Sequence, residues 1–137
     1  MKWANSLIRI SNHQVETLQK RLAVLVETRM AAEMKLTLLH AQAEAESAHA
    51  GEDAEAGFYR IGFLAGWRFR RDQAVADIAA AQAEEEGARD ALSRAFEELK
   101  KFEQVAELAR QAELKETARL ETAALDELGL RAAQRAR

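Results

Sequence analysis

A chain of 137 residues with no proline, no cysteine and 31% charged residues is suited to long helices rather than sheets. The lack of cysteine excludes disulfides, thiolate metal sites and thiol nucleophiles. The net charge of −3 is laid out in alternating blocks (+3 over residues 1–30, −5 over 31–57, +4 over 58–71, −6 over 72–107, +1 over 108–137), which argues against a nucleic-acid binder, because such a protein gathers positive charge along one face.

The start, MKWANSLIRISNHQ, holds no apolar stretch of signal-peptide length, and no window approaches the roughly 20 apolar residues of a membrane span, so the expected location is cytoplasmic. From Val15 the chain carries a heptad seam: Val15, Leu18, Leu22, Leu25, Arg29, Ala32, Leu36, Leu39 and Ala43 recur at spacings of three and four. This predicts a first helix over about residues 5–49. Ile10, Val24, Ala31 and Leu38 then fall on an outward row, with Met34 beside it, and such a row calls for a third surface, either a larger bundle or a client protein.

Four of the six glycines, Gly51, Gly57, Gly62 and Gly66, mark the reversal. A second seam follows, with Ile78, Leu92, Leu99, Ala106 and Leu120 on one row and Ala81, Ala88, Ala95, Phe102, Ala109 and Ala123 on its partner. Counted backward in sevens, these rows take in Leu64 and Trp67. Gly62 and Gly66 therefore lie inside the second helix, at about 1 kcal/mol each relative to alanine, and the turn is expected over Ala50 to Gly57. In that turn Glu52, Asp53 and Glu55 favour the positive end of a second helix spanning about residues 57–133. The fold class is thus all-α, one domain over residues 1–137, with two long helices in an antiparallel coiled-coil hairpin and the C-terminal helix the longer.

If the reversal centres near Asp53, Ile8 lies opposite residue 98 or 99, and about 30 C-terminal residues have no partner in the chain, a helix on the order of 45 Å long. In that stretch Glu113 and Glu116 occupy the seam while Leu114, Leu125 and Leu128 leave it. This is a stutter, read either as local unwinding or as a face turned toward another partner.

Residues 58–69 hold five of the eight aromatics. Phe58, Tyr59 and Phe69 lie off the seam beside Arg60, Arg68, Arg70 and Arg71, the makeup of a protein-contact hot spot, with an anionic membrane, single-stranded nucleic acid or a self-packed tip as alternatives. No catalytic arrangement is visible. His13, His40 and His49 are not on adjacent turns, so neither metal nor cofactor is expected, and Glu84, Glu85 and Glu86 read as a solvated face. A two-helix hairpin encloses no pocket. The expected class is a binding protein, not an enzyme.

The C-terminal run KKFEQVAELARQAELKETARLETAALDELGLRAAQR opens on Lys100, Lys101 and Phe102, repeats glutamate and arginine, and ends on Ala124, Leu125, Asp126, Glu127 and Leu128 before Arg131. Together with the stretch ending at Arg21 and Leu22 and the aromatic opening of the second helix, it resembles the FliJ family of flagellar type III export proteins. The resemblance implies a coiled-coil stalk, similar to the γ stalk of rotary ATPases, that binds the hexameric export ATPase FliI, promotes its ring assembly, links it to the export gate protein FlhA and escorts export chaperones. It implies a cytoplasmic protein held peripherally at the inner face of the membrane, monomeric or weakly dimeric alone. On this reading Leu7, Ile8, Leu125 and Leu128 would be the ATPase contact, and Leu38, Phe58, Tyr59 and Phe69 the gate or chaperone contact. The competing reading is a scaffold that self-associates through the outward row, or an adaptor working through the aromatic and arginine segment.

Overall fold

A computed structural model describes residues 2–49 and 54–136. Two helices, α1 (Lys2–Ala48) and α2 (Ala54–Arg135), account for nearly all of them, with no strand among the described residues. The absence of proline leaves both helices without that breaker, and no described residue has a positive φ. α1 closes on a single turn, in which the His49 amide donates to the Glu46 carbonyl. α2 begins three residues before the expected start, so Gly57 is helical rather than part of the turn. Ala54, Glu55 and Ala56 are good helix formers, and Glu55 lies in the first turn, where the helix dipole favours an acid. The remainder of the expected turn, including Glu52 and Asp53, lies outside the described residues.

Contacts divide the chain into two units, residues 1–15 with 94–137, and residues 16–93. In the larger unit every position of the first seam is covered. Leu25 and Leu39 are buried and Leu18, Leu22, Arg29, Ala32, Leu36 and Ala43 half-buried, facing buried Trp67, Ala74, Ala81 and Ala88 with half-buried Leu64 and Ile78. Numbers rise along α1 as they fall along α2, so the helices are antiparallel: Arg29 meets Glu85, while Ala43 and Glu46 share a groove with Arg60, Phe63 and Leu64. The tightest packing centres on Leu39, Trp67 and Ala74, with Leu36, Ala43 and Phe63 against them. There the Trp67 indole N–H donates to the Leu39 carbonyl, the Arg71 guanidinium lies 5.3 Å from the Trp67 ring, and the His40 ring is tilted against it at 5.7 Å.

In the smaller unit Ala4, Ser11 and Val15 are buried and Ile8 half-buried on α1, while Ala95 and Leu99 are buried on α2 with Phe102, Ala106 and Ala109 half-buried. Asn5 lines a groove with Glu103, Ala106, Glu107 and Arg110, which sets the first turn of α1 about level with Ala106. The pairing is therefore shifted by about one helical turn from the arrangement in which Ile8 faces residue 98 or 99. In the larger unit, near the turn, Leu39 meets Trp67 and Ala43 shares a groove with Phe63, as a reversal centred near residue 53 requires.

Candidate interaction surfaces

From residue 110 to residue 136 every side chain is exposed. The seam rows continue through Leu120 and Ala123 in sequence, but α1 has ended and nothing in the unit covers them. The stutter therefore falls where there is no intrachain coil to unwind. At 100° per residue the exposed segment carries two apolar stripes on nearly opposite sides. Leu114, Ala118, Leu125, Leu128 and Ala132 form one, and Ala112, Leu120, Ala123 and Leu130, interrupted by Glu113, Glu116 and Glu127, form the other. The leucines of both are more than half exposed.

Ion pairs three or four residues apart, Glu107 with Arg110, Glu116 with Arg119 and Glu127 with Arg131, each add a little to the stability of this helix. Hydrogen bonds from Arg110 and Arg119 hold the Glu107 and Glu116 carboxyls below the usual range, with Gln111 adding to the first.

The four residues assigned to an ATPase contact are not brought together. Ile8 is half-buried on the seam, Leu7 sits at the margin of exposure (36%), and Leu125 and Leu128 are exposed on α2. With the first turn of α1 level with Ala106, Leu125 lies on the order of 30 Å further along α2 at 1.5 Å per residue. Trp3, Leu7 and Ile10, at i, i+4 and i+7, form an exposed stripe on the first turns of α1. Sequence reasoning missed Trp3 because it precedes the expected helix.

In the larger unit Leu38, Phe58, Tyr59 and Phe69 are all exposed, Phe58 at 78%. Phe58, Ala65 and Phe69 share one face of α2 with exposed Ile61 at its edge, while Tyr59 is turned about 100° from Phe58. Leu38 stands on the outward row of α1. The other members of that row, Val24, Ala31 and neighbouring Met34, are exposed as expected, as is Ile10 in the smaller unit.

The reading of Glu84, Glu85 and Glu86 as a solvated face is corrected at one position. Glu84 and Glu86 are exposed, but Glu85 is buried on the seam, accepting hydrogen bonds from Nε of Arg29 and from Nη2 of Arg89 at 2.8 Å. Arg29 also reaches Glu33 at 3.0 Å. The hydrogen bonds from Arg89 and Arg29 pull the Glu85 carboxyl below its ordinary value against the opposing effect of desolvation. The signal was present in the sequence: the row through Ile78 passes through residue 85 seven positions on, and Arg29 holds the first seam's one charge.

Two long helices with exposed apolar stripes and shallow grooves define an all-α helical-hairpin protein. The profile of the family described as Flagellar FliJ protein matches residues 4–137. A protein named Flagellar FliJ protein from Caulobacter vibrioides strain NA1000 / CB15N is 57% identical over 132 residues, covering 96% of this chain and 95% of that protein. Its counterpart in strain ATCC 19089 / CIP 103742 / CB 15 matches to the same extent. No solved structure matches the chain. The chain belongs to the FliJ family and is a component of the flagellar export system. Among the described residues no helix is long and apolar enough to cross a membrane.

Proposed function

We propose that this protein is a non-enzymatic stalk of the flagellar export apparatus, cytoplasmic and held at the inner face of the membrane. It binds the hexameric export ATPase FliI through the exposed part of α2 and promotes ring assembly. Through the surface bearing Leu38, Phe58, Tyr59 and Phe69 it reaches the gate protein FlhA and export chaperones. The observation that carries this reading is the stretch from 110 to 136, helical, wholly exposed and apolar on two nearly opposite sides. An isolated helix of that kind is marginal in water, and one with two apolar sides suits a sleeve that contacts it all around. Its polar flanks avoid a single locking interface.

The test is ATP turnover and ring assembly by the cognate ATPase, with and without this protein and with L125D/L128D. Both leucines are exposed, so the variant should keep its helix content and lose the stimulation. Unchanged stimulation by the variant would remove the C-terminal helix from the contact. A second reading, self-association through the outward row, is favoured by the exposure of Val24, Met34 and Leu38 in the larger unit. It predicts a concentration-dependent dimer in sedimentation equilibrium and no effect on the ATPase.

A further inference from the structure

The larger unit carries one layer in which the two helices are joined by charge, within a seam built mostly of alanine and leucine away from Trp67 and Arg71. On α2 the buried row repeats alanine every seventh residue, at Ala74, Ala81 and Ala88. On α1 leucines at 18, 22, 25, 36 and 39 face it, with Ala32 and Ala43 at intervening layers. Each alanine offers a leucine much the same shallow hole as the next, so apolar packing distinguishes poorly between one pairing and a neighbouring one. Trp67 anchors one end, but its N–H bonds a main-chain carbonyl, a group that every helix residue carries.

The charged layer discriminates far more strongly. Glu85 is held from both helices, by Arg29 across the seam and by Arg89 one turn along, and Arg29 is shared with Glu33. If α1 moves by one seam layer, the Arg29 guanidinium leaves Glu85 for Ile78 and Ala81 on one side or Ala88 and Leu92 on the other, all apolar. Each charge then keeps only the partner on its own helix, Glu33 for Arg29 and Arg89 for Glu85, and buried Glu85 loses its bond across the seam, which is unfavourable. A single polar pair in a seam is a recognised means of specifying register at some cost in stability.

We propose that the Arg29–Glu85 pair is a register lock, and that without it α1 slides along α2 by one seam layer, about 5 Å. The chain as it stands keeps one register, and any event that draws Arg29 or Glu85 away frees the other.

The test uses the full chain, which has no cysteine of its own, spin-labelled through Q19C and A76C on exposed positions of the two helices. These sites are offset along the axis, so a slide changes their separation nearly in full. Double electron–electron resonance should give one distance in the otherwise unaltered chain and a second, about 5 Å away, when R29L/E85L is added. R29M/E85M repeats the test should the leucine pair fail to fold. Two distances in the unaltered chain, or one unchanged distance in the folded double variant, would overturn the lock.

Discussion

Replacing Trp67 with alanine tests whether the larger unit is held chiefly at one place. Trp67 is 8% exposed among Leu36, Leu39, Ala43, Phe63 and Ala74, and no other described aromatic is buried to that degree. Truncating a buried tryptophan costs about 3–5 kcal/mol, the spread reflecting how far the site collapses. A thin helix pair can close partly around the gap, which favours about 3–4. Within that figure the indole hydrogen bond to Leu39 contributes about 1 kcal/mol, and Arg71 over the ring about 0.5–1 at a partly exposed site. Trp67→Phe, which keeps an aromatic ring but loses the N–H and weakens the stacking, should therefore cost about 1–2 kcal/mol. Domains of this size are stable by roughly 5–15 kcal/mol, so Trp67→Ala should lower the midpoint of urea unfolding markedly, followed by far-UV circular dichroism. Fluorescence supplies a check: exposed Trp3 should emit to the red of Trp67, and the blue-shifted component should vanish with Trp67→Phe. A cost below about 1 kcal/mol for the alanine variant, or equal costs for the two variants, would refute this account of the packing.

Ser11 is 3% exposed with a hydroxyl that finds no hydrogen-bond partner. Ser11→Ala should raise the unfolding free energy by about 1 kcal/mol and the urea midpoint with it, and a lowered midpoint would mean the hydroxyl has a partner after all. A Cβ on Gly62 would meet nothing within 4 Å, so Gly62→Ala should stabilise by up to about 1 kcal/mol. At Gly66 the added carbon would stand 3.3 Å from Nη1 of Arg70, a flexible tip that must yield, so the gain measured by the same unfolding curve should be smaller. The lowered carboxyl of Glu85 fixes the direction of a pH effect. Its contribution is present above the ordinary glutamate value of 4.5 and is lost as pH falls through the lower folded value. Unfolding midpoints measured from neutral pH into the acid range should drop for the parent chain and drop less for Glu85→Gln.

The charge layer also shows where sequence reading stopped short. The seam rows of both helices as far as Ala109, the outward row with Leu38, and the exposed aromatics Phe58, Tyr59 and Phe69 follow from helical periodicity and lie on the sides assigned to them, whereas Leu120 and Ala123, assigned to the seam, are exposed. Glu85 was set aside because three glutamates in a row read as solvent-facing, although one of any three consecutive helical positions can lie on the seam. Ser11 escaped notice because a polar residue on the seam breaks the apolar pattern, and Trp3 because it precedes the expected start of the first helix.

Periodicity is a local property, fixed by 3.6 residues per turn, and so the sequence by itself determined that this chain forms two long helices, which face of each is apolar, and that the second outlasts the first. Register is not local. It depends on which layer of one helix meets which layer of the other, and a seam of recurring alanines and leucines leaves that choice nearly degenerate. Only the tertiary structure decided that α1 begins level with Ala106, that Leu7 and Leu125 stand far apart along α2, and that Arg29 finds Glu85, because these outcomes rest on contacts between residues more than fifty positions apart in the chain.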